Sequence, residues 1–194
     1  MKVDKADIFV NARELFAAKG FKDTSISDIT KKTGIAVGSF YKFYGAKEEV
    51  FLDVFMAESE QLKKEIMAEV DLDDEPVAVI KEATAKMFVA IRENPILREW
   101  YSRDVYAKLE KYIYEQDGAD KWEDEYSYNL FTGIIKKWQQ EGKFRNDIDS
   151  DMILAIFNTF QYIDMHKEEI GSQYFPQLME HMVEFIVKGL QEKN

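Results

Sequence analysis

Apolar residues recur along this chain at intervals of three and four, the spacing of one buried helix face. The pattern predicts an all-α protein of about nine to ten helices. The first helix covers about 4–19. Ile8, Ala12, Leu15 and Phe16 share a face, Gly20 ends the helix, and Phe21 packs back on the stripe. Two short patterns follow between 25 and 44. Ser25-Ile26-Ser27-Asp28 reads as a capping box, with Ser25 as N-cap and Asp28 three residues on. Ile26 and Ile29 then share a face, and Lys31, Lys32 and Thr33 close the helix with cations at its negative end. Gly34 supplies the left-handed conformation of a tight exit, and Ile35 plugs the turn. The next helix, about 37–43, turns Phe40 inward and leaves Val37, Gly38, Ser39, Tyr41 and Lys42 outside. Two short helices across a glycine turn describe a helix-turn-helix, whose outer helix fits the major groove of duplex DNA. They describe an ordinary helical hairpin as well, and these residues alone leave both readings open.

Val50, Phe51, Val54, Phe55, Leu62, Ile66 and Val70 predict a long helix over about 47–70. At 1.5 Å per residue it is roughly 36 Å long. Its start belongs with the N-terminal helices and its end with a larger core, so it links two bodies. Residues 71–75 form a polar break, and Pro76 suits the first turn of the next helix, 76–93, which carries Val79, Ile80, Ala83, Met87, Phe88 and Ile91. Asn94-Pro95 interrupts it. Short helices over 95–101 and 102–115, a turn at 116–119 and a long helix over 120–141 follow. The long helix presents Trp122, Tyr126, Leu130, Ile134 and Trp138 in steps of four, and Gly142 ends it. The last two helices are 150–169, with Met152, Ile153, Ile156, Phe157, Phe160 and Ile163, and 176–192, with Leu178, Met179, Met182, Val183, Phe185, Ile186 and Leu190. Both stripes are wide for one buried side. Either both helices sit deep in one core, or one face packs inward and another meets a second subunit.

Charge changes this picture. The chain has 194 residues and a formal net charge of −11, which argues against a polyanionic partner. The distribution reverses the argument: residues 1–50 hold nine Lys/Arg against seven Asp/Glu, and the acid lies beyond them. Such asymmetry orients a molecule near DNA, and a dimer doubles the basic contacts. There is no cysteine, which suits a reducing cytosol, and a cytoplasmic location is expected. The N-terminal MKVDKADIFV reads as neither signal peptide nor membrane span, and no apolar run approaches the ~20 residues a bilayer requires.

The first fifty residues resemble the DNA-binding domain of the tetracycline-repressor (TetR) family of transcriptional regulators. The likeness is carried by Ala12, Leu15, Phe16, Gly20, Phe21, Thr24, Ser25, Ile29, Gly34, Gly38, Tyr41, Tyr44, Lys47 and Glu48, and by the run GIAVGSFYKFYGAKEEV from Gly34 to Val50. It covers about a quarter of the chain; beyond that it rests on helix number and order. Ala36 and Ala46 depart from it, standing where the family often has a capping serine. Each alanine costs roughly 1 kcal/mol as an N-cap, while the free N–H groups stay available to phosphate oxygens. Tyr44 replaces a more usual phenylalanine.

The resemblance implies a DNA-binding domain over 1–48, with its helix-turn-helix at about 25–44, and a ligand-binding and dimerisation domain over 49–194. By the family pattern Thr24, Ser25, Ser39, Tyr41 and Lys47 contact phosphates, and Ala36, Val37, Ser39 and Lys42 sit nearest base edges. Tyr44 is placed with them, with packing as its competing role. Family members dimerise through their last two helices, which assigns the interface to Ile153, Ile156, Phe157, Phe160, Met179, Met182, Phe185 and Ile186. A two-fold dimer then reads a palindromic operator. The ring residues around the Asn94-Pro95 break suggest an apolar cavity with phenol tips, and the family binds small molecules there. Met87, Phe88, Ile91, Trp100, Tyr101, Tyr126 and Phe131 are its candidate lining, for a small and largely apolar effector. Nearby carboxylates would suit a lipophilic cation.

Enzyme signals are poor. His166 and His181 lie on separate helices outside any metal-ligand spacing, and no phosphate loop is present. No cofactor, metal or membrane partner is expected. The reading is a homodimeric, ligand-responsive regulator, most simply a repressor. An activator of the same architecture and a helical binding module without DNA affinity are the alternatives.

Overall fold

Ten α-helices and two 3-10 turns organise residues 3–116 and 125–191, the parts of the chain that this computed structural model describes. α1 (Lys5–Lys19) starts on a reciprocal cap, in which Asp4 and Asp7 each accept the other's backbone N–H at 3.0 Å. It buries Ile8, Ala12 and Phe16, spaced at four residues as one helix face demands. Gly20 then breaks it with φ 78° and ψ 173°, a backbone region that is essentially glycine's alone. A Cβ at that position would lie 2.9 Å from Oε1 of Glu99. α2 (Ile26–Thr33) and α3 (Val37–Phe40) follow, then the long α4 (Lys47–Glu69).

Pro76 opens α5 (Pro76–Glu93), where its missing N–H has no helical partner to lose. Asn94 ends it: its Oδ1 accepts the N–H of Ile96 at 2.9 Å and of Leu97 at 3.1 Å. Those bonds tighten the expected helix at 95–101 into a 3-10 turn, Leu97–Tyr101. α6 (Arg103–Gln116) comes next, then α7 (Glu125–Gln140), α8 (Ser150–Met165), α9 (Lys167–Ile170), a 3-10 turn (Ser172–Tyr174) and α10 (Gln177–Gln191). Of the turn expected at 116–119, Gln116 closes α6 instead; the rest of that turn, the first residues of the 120–141 helix with Trp122, and Glu192 lie outside the described residues.

Three expectations are corrected. The helix of 37–43 stops at Phe40 and finishes as a turn, because the Lys42 and Phe43 N–H groups bond three residues back, to Ser39 at 3.3 Å and Phe40 at 2.9 Å. The helix of 150–169 breaks at His166, whose ψ of 18° and shared N–H unwind the ladder before α9. The buried face of α7 is Ser127, Thr132, Ile135 and Trp138, whereas Tyr126, expected on it, is exposed. A strict step of four advances ~40° around a helix each time, so four such steps cannot stay on one face.

By packing, the described chain gathers into two units. The first is Met1–Lys63 with Phe88–Asp124, and the second is Lys64–Met87 with Glu125–Asn194. The division thus falls inside α4 and inside α5. The core of the first unit joins Ile8, Phe16, Phe21, Ile29 and Phe40 to Val50, Phe51 and Val54 of α4, then to Ile96 and to Val105 and Leu109 of α6. Phe51 stands edge-on to Phe16 at 5.0 Å and to Phe21 at 4.9 Å, geometry that ring quadrupoles favour. The second unit buries Val79, Ile135, Trp138, Ile153, Val183, Val187 and Leu190. Its ends are tied by Arg145 N–H to the Leu190 carbonyl at 2.7 Å and by Lys137 to Asp73 at 2.7 Å. No described helix is long and apolar enough to cross a membrane.

Phe51→Ala removes the ring that the α1–α2 turn packs on and is expected to destabilise the protein by about 3–5 kcal/mol in denaturant unfolding. Val89→Ala, at a largely exposed site, should stay within about 0.5 kcal/mol.

Candidate nucleic-acid interface

Local sequence builds the interface from α2 outward. The Ser25 N–H and Oγ both donate to Asp28 Oδ2, at 2.8 and 2.6 Å, and the Asp28 N–H returns a bond to Ser25 Oγ at 3.1 Å. The Ser25 hydroxyl, the Lys19 ammonium and the Ser25 N–H together hold the Asp28 carboxyl well below the usual carboxylate range. At the other end Gly34 takes the left-handed conformation, φ 76° and ψ 30°. Its N–H reaches Lys31 and the Ile35 N–H reaches Thr30, at 3.3 and 3.0 Å. That pair of bonds is the Schellman ending, which turns the chain sharply and carries Ile35 back to the core.

α3 leaves this turn without a side-chain cap, since Ala36 has no oxygen to offer. What fixes it is Phe40, fully buried, which aims the rest of the turn at solvent. Val37 is 47% exposed and Tyr41 54% exposed, and Ala36, Gly38 and Lys42 are exposed beside them. Ser39 is half-buried. Among the described residues Lys31 and Lys42 stand in no ion pair, whereas Lys19 pairs with Asp28 and Lys22 with Asp104. The result is a short convex surface of methyl groups, a phenol and an uncommitted cation.

Three residues expected to meet DNA sit elsewhere. Tyr44 is 1% exposed and packs against Phe40, with the Lys5 ammonium 4.6 Å over its ring. Burial, then the Asp53 charge and a hydrogen bond to it, push the phenol far above its usual range. Of the two roles weighed for Tyr44, the structure shows packing: the ring is core, and its place among the DNA contacts is corrected. Thr24 is buried as well, and its hydroxyl donates to the Gly20 carbonyl at 2.8 Å. Lys47 is half-buried, with Nζ donating to the carbonyls of Phe21 and Thr24 at 2.7 and 2.8 Å, 4.1 Å over the Phe21 ring. Desolvation lowers its pKa. In this structure Lys47 pins the α1–α2 turn, and Ser25 is the exposed member of the group. The pairing of Lys22 with Asp104 at 2.6 Å carried no sequence signal, because 82 residues separate them.

The other expected sites divide between the units. Phe88, Ile91, Trp100 and Tyr101 belong to the first, while Met87, Tyr126 and Phe131 belong to the second. Trp100 stacks on Phe55 at 4.8 Å and meets the edge of Tyr106 at 5.1 Å, so its ring serves the first core. Phe88 lies under the Arg92 guanidinium and Tyr126 under the Lys64 ammonium. Of the residues expected at a dimer face, Ile153 and Met179 are buried within this chain. Ile156, Phe157, Phe160, Met182 and Ile186 are half-buried, and Phe185 is 68% exposed.

Residues 8–54 match the family of bacterial regulatory proteins named for tetR. Over 181 residues the chain is 20% identical to the HTH-type transcriptional repressor KstR2 of Mycobacterium tuberculosis, covering 88% of each. Its fold is similar to that of the Thermus thermophilus FadR, a TetR-family repressor solved with lauroyl-CoA, with a TM-score of 0.62 at 21% identity over 97% of this chain and 94% of that one. It is also similar to FadR of Bacillus subtilis solved with stearoyl-CoA, with a TM-score of 0.53 at 18% identity over 96% and 99%.

Ser25→Ala should destabilise the protein by about 1 kcal/mol through loss of the cap. Asp28 gives this cap a pH signature. Its folded pKa is depressed, so its contribution is complete above the unfolded carboxylate range and disappears as pH falls through the folded value. The stability gap between wild type and Asp28→Asn should hold steady above about pH 5 and close in stronger acid, as read by unfolding midpoints across a pH series.

Proposed function

The chain belongs to the tetR family of bacterial regulatory proteins and is a DNA-binding transcriptional regulator rather than an enzyme; on that premise we propose that it is a homodimeric repressor released from a palindromic operator by a small apolar effector. The observation that carries the DNA contact is the exposed face of α3, held outward by the buried Phe40. Ala36 and Val37 are the candidates for thymine methyl groups, Lys42 for a guanine or a phosphate, and Ser25, Ser39 and Tyr41 for phosphates. Tyr44 and Thr24 act from within, and Lys47 sets the turn that presents Ser25.

In the dimer, α8 and α10 supply the interface. Support comes from α10, where Met179, Val183, Val187 and Leu190 turn inward while Phe185 stays exposed with Met182 and Ile186 beside it. Two copies of α3 then stand one helical turn apart, about 34–36 Å along the duplex. Functionally the division falls near residue 48, with 1–48 reading DNA and 49–194 binding effector and partner, although packing places residues 88–124 with the N-terminal helices. A fatty acyl-CoA is the effector class to test first, since the two FadR neighbours were solved with lauroyl-CoA and stearoyl-CoA. Repression is favoured by the relatives, which are named repressors. The mechanism is a population shift: effector stabilises a conformation in which α4 and the α3 helices move, and DNA weakens effector binding by the same factor.

Selection of bound duplexes from a random pool tests the reading. Tyr41→Ala and Lys42→Ala should each weaken the selected duplex by on the order of tenfold or more, while Tyr44→Phe leaves affinity unchanged. A salt slope reduced by ~0.9 in Lys42→Ala assigns that cation to a phosphate; an unchanged slope with relaxed preference assigns it to a base. No duplex enriched by the wild-type protein would sink the proposal. Phe185→Glu should convert the dimer to monomer in sedimentation.

A further inference from the structure

One carboxylate joins three distant segments of the first unit. Glu58 of α4 is largely buried, its side chain 14% exposed, and both of its oxygens are committed. Oε1 pairs with Arg13 Nε of α1. Oε2 accepts from Asn94 Nδ2 at the end of α5, at 2.8 Å. Asn94 in turn spends its own Oδ1 on the N–H groups of Ile96 and Leu97, which sets the 3-10 turn and drives both side chains into the core. Ile96 packs in the cluster that holds Ile8, Ala12 and Phe16 of α1. The node borders a surface cleft of about 220 Å³.

We propose that Glu58 is a positioning residue for DNA binding, coupling the exit of α5 to the seating of α1. The inference rests on the DNA-binding reading above. Its physical basis is directional. Arg13 and Asn94 Nδ2 are both donors, so only a group with two acceptors satisfies them together. Asn94 directly follows α5 and its N–H bonds the Ala90 carbonyl of the last turn at 2.9 Å, so a displacement or rotation of that segment carries Asn94 with it. The Asn94 amide then pulls on Oε2, and Oε1 passes the change to α1. α1 packs on α2 and sets the base on which the Ser25 cap and α3 stand. Because Arg13 is more than half exposed, its ion pair adds little to stability, and the role of the node is to fix geometry.

Glu58→Gln tests this directly, since one of its two contacts must become donor against donor. Arg13→Gln is the second variant: it breaks only the α1 arm, at an exposed site, and leaves Asn94 bonded. Full-length protein is taken through hydrogen exchange with and without the duplex selected above. The amides of Ile96 and Leu97 report the node, and those of α10 report global stabilisation. By linkage, duplex should slow exchange at Ile96 and Leu97 in the wild type beyond any change in α10, by a factor in the range of about 5 to 150. Both variants should still bind duplex, more weakly, and lose that extra protection. Extra protection that persists in both variants, or that is missing from a wild type that binds duplex, overturns the proposal. A wild type that binds no duplex overturns the DNA-binding reading instead, and this inference falls with it.

Discussion

The edge-on packing of Phe51 against Phe16 and Phe21 is the contact on which the first unit depends. It joins the start of the longest helix to the end of α1 and to the turn that follows. That contact holds Phe21 at the start of the α1–α2 turn, and the Lys47 ammonium closes the turn by bonding the Phe21 and Thr24 carbonyls. The entry to α2, its capping box and the outward α3 follow that turn. A side chain that a sequence reading offers to phosphate is here an internal strut, and the polar surface of the motif is narrower for it. Ser25, Tyr41, Lys42 and the small residues around Val37 hold what is left.

Much of this was legible in the sequence where the signal is local. Ser25 with Asp28, Gly34 before Ile35, and Pro76 after an acidic break each act within five residues, and each does in space what its spacing implies. Phe40 as the inward residue of α3 is legible for the same reason. The losses came where distance or rotation decides. Tyr44 and Phe40 are both aromatic and four apart, and only the fold shows that both are buried. The face of α7 holds at Trp138 but is rotated toward the start of the helix, because a step of four drifts around it and Ser127 and Thr132 take buried places that composition assigns to rings. The break at His166 has no glycine or proline to announce it.

Charge shows the same limit. The N-terminal fifty residues have a small basic excess, and counting assigns it to the DNA face as a whole. In the structure Lys19, Lys22 and Lys32 are each paired with a carboxylate, of Asp28, Asp104 and Glu14. Among the described residues of this N-terminal stretch, Lys31 at the end of α2 and Lys42 beside α3 stand in no ion pair. Lys22 and Asp104 each hold the other charged, the ammonium raised and the carboxyl lowered, which links α6 to the α1–α2 turn through a bond that salt weakens.

Gly20 carries a consequence of a different kind. Its backbone occupies a region that side chains rarely adopt, and the carboxylate of Glu99 crowds the position that the first carbon of one would take. The Glu99 carboxylate is the free end of a flexible side chain and can move aside, so the backbone geometry is the stronger of the two constraints. Relieving the crowding by shortening Glu99 would leave the torsional obstacle in place.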